Sequence, residues 1–548
     1  MARRAVTGLA AGALTLALVA AAWPVRAHAA APVGDAARTL TVSVPGPFNG
    51  CSVLDPGATA TTGAVLDLLR PSAFTTTPTG GLAGAGGPIA AAELTSLSPE
   101  TVVYTIASHE LWSNGLTFNG ADLVAWWQRA RSLASVTSDG YRAIQSLTVG
   151  SNGLTVTAIF ATPYADWNLL FRDVEARGVT PGCAIANLTR RPSLGPYRVV
   201  SATTRQVVLA KSPRWTTNPL RFGTIVLVTT EVIPARTSTP FANYSLGVTR
   251  PQIQALSAHP SVASRIGTSS DVEVITFAPA RPFTRTLAMR EALSWALDRQ
   301  VLINKLWGSI TFSPAVAASA VYSQGQSAYP GGSGTTPTSP STSAPTTIPT
   351  ANGQADCLTC ADAQLVAQGF RRSGHRWVRG EQTLAVRIIS GPSALDRATV
   401  AAVARQWVSV GIPAAVVHDT SDASAAAAVA TNLADVAIYA KPTTTTPSVA
   451  ARSWSGPAFA DSYLGGFRSA SVSTLFTDAI SNFNPVAATT TWLQLDQAVL
   501  RSFWIRPLYT APSLEEWSNV LVGVTGSLSE SGFLDQLPNW NTATATKS

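Results

Sequence analysis

One stretch constrains this chain more than any other: Trp112-Ser-Asn-Gly-Leu-Thr-Phe-Asn-Gly-Ala-Asp-Leu-Val-Ala-Trp-Trp-Gln-Arg-Ala-Arg131. Asn114-Gly115 is a tight-turn signal, because both residues tolerate a positive φ. A short extended piece follows, and a helix is then predicted from about Asp122. The Asp122 carboxylate lies where the exposed amides and positive dipole end of a new helix favour negative charge. Aromatic and aliphatic residues fall on one face of that helix, so it needs a packed partner.

At 548 residues the chain exceeds one simple core, and two or three lobes are expected. Hydrophobic residues make up 46% and charged residues 12%, which permits a large core and argues against wholesale disorder. Residues 1–29 read as an export signal: Arg3 and Arg4, then apolar Leu9 to Ala22, then the small-x-small site Ala27-His28-Ala29. The apolar stretch is short and runs into Trp23-Pro24, so a permanent membrane anchor is the poorer reading. Ala2 and Ala5 fit a twin-arginine signal badly, which leaves the general secretory route. Cys51 lies well beyond the cleavage site, so no cysteine is placed for a lipid anchor. No other segment has the roughly 18 uninterrupted apolar residues of a membrane span, and the mature chain is expected to be soluble. Removing Arg3, Arg4 and Arg26 lowers the formal charge from +8 to +5, which is 35 basic minus 30 acidic residues. That excess is mild and contains no Lys/Arg-rich run, so a nucleic-acid partner is not expected.

Catalysis finds no constellation. There is no Gly-x-Ser-x-Gly elbow, His-Glu-x-x-His helix or phosphate-binding loop. His109, His259, His375 and His418 are scattered singly. His109 and Glu110 are adjacent in a predicted strand, so their side chains point to opposite faces. The chain therefore reads as a non-enzyme, with no cofactor and no metal implied.

Four cysteines in an exported chain favour disulfides. The expected pairs are Cys51–Cys183 as a long-range staple and Cys357–Cys360 as a local loop. A Cys-x-x-Cys also serves redox and zinc sites, but neither a thioredoxin-like context nor a second ligand pair lies nearby.

Along the chain, alternating Leu40 to Val44 reads as a strand. Leu54-Asp55-Pro56 follows, then a loop and an apolar helix from about Gly63 to Leu69. Residues 75–90 read as a loop. Leu147 to Ile159 alternates around a turn at Ser151-Asn152-Gly153, a hairpin pattern. A strand is predicted over Leu384 to Ile389 and a helix over Ala394–Val410, stopped by Gly411. Residues 324–352 are Gly, Ser, Thr and Pro with almost no apolar side chains and read as a mobile surface loop; residues 541–548 read as a frayed tail.

The opening stretch resembles the signature of the family 5 extracytoplasmic solute-binding proteins, the oligopeptide- and dipeptide-binding components of ABC importers. There the pattern runs W-S-N-G, four variable residues, A-x-D-F-V, then x-x-W-Q-R. Trp112, Ser113, Asn114, Gly115, Asp122, Val124, Trp127, Gln128 and Arg129 match without a gap, and Gly120 stands where the family usually has Ala. Three further blocks resemble the family in order. One is Leu194-Gly195-Pro196-Tyr197-Arg198-Val199, with Val207-Val208-Leu209 and Pro213-Arg214-Trp215. The second is Pro282-Phe283 with Met289 to Arg299, in which Arg290 and Asp298 are expected to ion-pair. The third is Ala363 to Phe370 with Trp377 and the strand after it.

The resemblance implies an α/β fold of the periplasmic-binding-protein type II class, a two-lobed clamshell with an extra subdomain. It implies a first lobe over 30–275 with an inserted subdomain at about 60–185. A second lobe would span 276–500, and 501–548 would return to the first. It implies capture of a peptide-like or other polar solute and delivery to a membrane ABC permease by a monomer. Ligand-facing positions carried over are Thr59 to Thr62 with Thr61, then Tyr141, and the segment after Asp435-Val436-Ala437-Ile438-Tyr439. Peptide binders carry an Asp there for the peptide's amino terminus. This chain has Lys441, Pro442 and a threonine run that includes Thr444, so an anionic or polyhydroxylated ligand is expected if the segment lines the cleft. Some relatives act in assembly of envelope glycolipids, which makes a non-transport envelope role the alternative.

Overall fold

The computed structural model describes residues 39–55, 58–133, 138–180, 182–215, 220–229, 240–255, 261–308, 310, 314–330, 356–419, 421–442, 446–455, 469–526 and 532–542. The stretch read as an export signal, the bulk of the Gly/Ser/Thr/Pro segment and Thr444 lie outside them.

A ten-stranded mixed sheet organises the chain. Its first half is built from β1 (Thr39–Ser43), and four later strands join that half. The second sheet has four strands, β2 (Ile89–Leu97), β3 (Glu100–Ile106), β4 (Ile144–Val149) and β5 (Thr155–Phe160), in the order β2-β3-β5-β4. The strands that join the large sheet are β6 (Tyr197–Ala202), β7 (Gln206–Lys211), β8 (Thr224–Val228) and β9 (Phe241–Leu246). Two long strands follow in that sheet, β10 (Val262–Phe277) and, near the C-terminus, β14 (Ile505–Ser518). Between them come β11 (Val386–Ser390), β12 (Ala414–His418) and β13 (Val436–Pro442). The large sheet runs β12-β11-β13-β10-β14-β9-β1-β8-β7-β6. β10 and β14 are antiparallel partners from Val262↔Ser518 to Thr276↔Ile505, with a register shift between Thr268 and Val272. They carry the chain from one half of the sheet to the other.

The helices are α1 (Ala60–Asp67), α2 (Gly120–Arg131), α3 (Asp139–Ala143), α4 (Arg250–Gln254), α5 (Leu287–Trp295), α6 (Arg299–Trp307), α7 (Leu358–Ala367), α8 (Ala394–Ser409), α9 (Asp422–Ala430), α10 (Pro447–Arg452), α11 (Ala470–Ile480) and α12 (Pro485–Arg501). Four cores result. Leu40, Val42, Ile225 and Leu227 pack with α1 and with Phe533 and Trp540. Tyr104, Trp112, Trp126 and Val156 fill the core of the four-stranded sheet. The other two lie on opposite faces of the β10–β13 region: Val436 and Ile438 join α5, α6 and α8, whereas Ala437 and Tyr439 join α9, α11 and α12. That alternation is the pleat of a strand covered on both sides.

Several sequence expectations shift. Helix α2 begins two residues earlier than Asp122, because Asn119 is the N-cap and Asp122 its capping-box partner. Helix α1 begins at Ala60, so Thr59 is its N-cap rather than part of a loop. Residues 75–90 contain part of a small hairpin, Phe74–Thr76 with Leu82–Gly84. His109 is in a turn at φ 66° and not in a strand, since β3 stops at Ile106. Arg290 donates to the Thr284 and Ser502 carbonyls and stacks on Trp504, while Asp298 caps α6 through Val301 N, so these two do not pair. No helix among the described residues is long and apolar enough to cross a membrane.

Candidate functional site

The signature stretch is framework. Trp126 Nε1 and Trp127 Nε1 donate to the Tyr141 hydroxyl (2.9 Å) and carbonyl (3.0 Å). Asp122 accepts from Arg177 N at 2.9 Å and from its guanidinium at 3.0 Å. Arg129 pairs with Glu175 and lies 3.6 Å from Asp55, and Arg70 reaches Glu175 at 2.7 Å. These bonds tie the Leu-Asp-Pro loop to α2 and leave the signature side chains committed to the fold.

The expected site residues fall in three places. Thr61 is buried in the first turn of α1, its hydroxyl donating to the Pro45 carbonyl. Tyr141 is buried in the core of the four-stranded sheet, and its hydroxyl also accepts from Phe171 N at 2.8 Å. Tyr439 and Lys441 are brought together on one face of β13, both buried. The Lys441 ammonium sits 5.6 Å above the Trp454 ring, and its charge acts on buried Asp496. Cys51 and Cys183 have Cα atoms 5.7 Å apart, and Cys357 and Cys360 5.1 Å, with the sulfurs paired in each case. The carboxylate of Asp55 lies close to the first pair.

The side of the sheet opposite Lys441 holds a group that the sequence reading missed. Strands β11, β12 and β13 are parallel, and in open α/β sheets ligands collect beyond the carboxyl ends of such strands. There Ser390 Oγ and His418 Nδ1 are 2.6 Å apart. Beside them, Asp396 caps the first turn of α8 and Asp422 opens α9. Asp271 and Glu273 reach the same side from β10, two residues apart and so on one face.

Glu273 and Asp396 are fully buried, while Asp271 and Asp422 are half-buried at the mouth. Gly391 lines the recess, and a Cβ there would collide with both Asp396 and Asp422. Among the described residues, no N–H or O–H reaches either Glu273 oxygen, and its neighbouring acid is Asp396. Burial, then the charges of Asp396 and Asp422, push Glu273 well above the ordinary carboxylate range. Burial and Asp396 raise Asp422 to about 7 and Asp271 to about 6. The recess therefore gathers four acids, of which Glu273, Asp422 and Asp271 are pushed toward their protonated forms. Its only local sequence signal was the alternation Asp271-Val272-Glu273-Val274, which puts two acids on one face of an otherwise apolar strand.

A model of the bacterial extracellular solute-binding proteins, family 5 middle region, matches residues 90–469. The chain belongs to this family. This family 5 protein is 26% identical over 338 residues to the oligopeptide-binding protein OppA of Mycobacterium tuberculosis and of Mycobacterium bovis. The match covers 58% of this chain and 54% of OppA, so it spans about half the length of those relatives. Among solved structures, the periplasmic EDTA-binding protein EppA aligns with TM-score 0.76 at 18% identity, covering 92% of this chain and 96% of that one. NikZ from Campylobacter jejuni, in complex with Ni(L-His), aligns at 0.73 and 14% identity, covering 92% and 99%. AppA from Bacillus subtilis, in complex with a nonapeptide, aligns at 0.69 and 14% identity, with the same coverage. At such identities the likeness is one of fold. The fold of this family 5 protein is the type II clamshell of two lobes with an extra subdomain.

Proposed function

We propose that the protein is the extracytoplasmic receptor of an ABC importer, closing its lobes around a peptide-like or other polar solute and presenting the closed form to a membrane permease. The observation that carries this is the pair of long strands β10 and β14, which run through both halves of the ten-stranded sheet within a family 5 fold. Crossing strands of this kind allow hinge closure of one lobe on the other. No covalent step is involved. Residues 1–29 act as the export signal, and Cys51–Cys183 and Cys357–Cys360 form disulfides in the oxidising exterior.

Within the cleft, the carboxyl end of β13 at Lys441 contributes one wall. Thr61 and Tyr141, whose hydroxyls are already bonded inside the protein, support the walls from behind. Lys441 is shared with Asp496 on one face of the sheet, and on the other face, at the carboxyl ends of β11–β13, the recess of Asp271, Glu273, Asp396 and Asp422 sets the local field. It favours a solute with a cationic or strongly hydrogen-bonding group over an anion. The non-transport envelope role gains no support from the family's relatives.

Native mass spectrometry of the purified mature protein, with identification of any retained molecule, tests this reading. A retained polar solute that also shrinks the protein in small-angle scattering is the expected result. Protein that is empty, and unchanged in shape by panels of peptides, amines and sugars, would overturn it.

A further inference from the structure

A second hollow lies between α4, α6 and α8, with a volume of about 280 Å³. Its interior is apolar, floored by Trp307 and Leu395 and flanked by Ala398 and Ala401, while Arg250, Lys305 and Arg405 stand around it. Leu395, Ala398, Ala401 and Arg405 follow the three-to-four spacing of one helix face. The two alanines are what leave the space open. Trp307 makes no polar demand on an occupant, since its Nε1 already donates to the Val248 carbonyl at 3.2 Å.

Among the described residues, no carboxylate lines this hollow. None lies within one helical turn of Lys305 along α6 or of Arg405 along α8. Among the described residues, neither cation takes part in an ion pair with an acid. Both are exposed, so each reaches inward on a flexible stem at little cost. An apolar hollow alone would suit any small hydrocarbon, and a cationic patch alone any anion. The two together select a molecule with both parts.

We propose that this cavity binds a small anionic amphiphile, with a carboxylate or phosphate head on Lys305 and Arg405 and a short alkyl or aryl tail against Trp307 and the two alanines. The volume lies near the lower end of the roughly 300–1,000 Å³ typical of small-molecule pockets, so a short tail fits and a long one does not. A free acid and the headgroup region of an anionic lipid share this chemistry.

The test is calorimetric titration of the full mature protein with octanoate, with octylammonium as the charge-reversed control. Octanoate is expected to bind saturably and octylammonium not. The double variant Lys305→Glu/Arg405→Glu is expected to weaken octanoate at least about tenfold. Ala398→Leu/Ala401→Leu, which fills the hollow and keeps the charges, should weaken it comparably. Circular dichroism checks that both variants fold. Vesicles of phosphatidylcholine with and without phosphatidylglycerol separate the sources: capture only by the anionic vesicles, competed by octanoate, marks a lipid, and no capture marks a free acid. Absence of octanoate binding, equal binding of octylammonium, or octanoate affinity untouched by both double variants would each overturn the proposal.

Discussion

Glu273 and Asp396 stand fully buried side by side, and the pH response of the molecule follows from Glu273 and its neighbours Asp271 and Asp422. In the unfolded chain these carboxyls titrate at about 4. In the fold Asp422 is raised to about 7, Asp271 to about 6, and Glu273 well above its usual range. The folded state therefore holds protons that the unfolded chain has released. That contribution to stability is complete below about pH 4 and is lost as pH rises through the folded values. We expect the melting temperature to decline from pH 5 to 8.5. In Glu273→Gln the decline should be shallower, with a gain of about 1–3 kcal/mol at pH 8 from removing a buried like charge. Other raised acids, such as Glu100 at about 7, add the same slope to both proteins and cancel in the comparison. Identical slopes in thermal scans would mean that the recess does not titrate in this range.

At the scale of elements, packing accounts for Gly120, one of two departures from the family signature, the other being Leu123 in place of Phe. Gly120 opens α2 against the four-stranded sheet, and a Cβ there would lie 2.7 Å from Val149 Cγ1 and 2.8 Å from Val156 Cγ2. Gly120→Ala, the residue the family pattern favours, should therefore destabilise by about 1–3 kcal/mol in urea melts, outweighing the helix-propensity gain of roughly 1 kcal/mol. A stabilised variant would mean that β4 and β5 yield easily. The Cys51–Cys183 pair joins the segment before α1 to the chain 132 residues later. Cys51→Ser/Cys183→Ser is expected to lose about 2–5 kcal/mol. Mass spectrometry with and without reductant establishes whether the bond is present.

Elements carried by local chemistry were legible in the sequence, such as the Asn114-Gly115 turn, the α2 face and the hairpin of β4 and β5. The recess was not. Asp396 and Asp422 each lie in a first helical turn, where an acid is ordinary, and only the return of β10 sets Glu273 beside them. Lys441 misled for the same reason: residues as distant as Trp454 and Asp496 decide where its charge is spent.

Across the whole molecule, the described residues include a clasp between the unit of the four-stranded sheet and helices α10–α12. Arg452 of α10 pairs with Asp139 of α3 and lies 5.1 Å from the Phe476 ring centroid. Ser448 donates to Asp166, and Ala165 N donates to the Ile480 carbonyl at 2.7 Å. Tyr164, held by its own N–H on Glu100 at 2.6 Å, packs against both the subdomain core and the α11–α12 core. The four-stranded sheet thus meets helices α10–α12 through a partly exposed ion pair and the buried Ser448 hydroxyl, each individually weak. Arg452→Ala with Ser448→Ala should remove about 1–2 kcal/mol of this contact, which changes a closed-to-open ratio by roughly fivefold to thirtyfold. The global core is untouched by these changes, so the melting temperature should move little. Hydrogen exchange at Ala165 and around Ile480 should accelerate, and the ligand-free protein should scatter as a larger particle. Any solute the cleft retains should dissociate faster in the double variant, because a smaller closed fraction lowers apparent affinity in proportion. If exchange and particle size both match the wild type, the clasp is a passive surface contact and closure is governed by β10 and β14 alone.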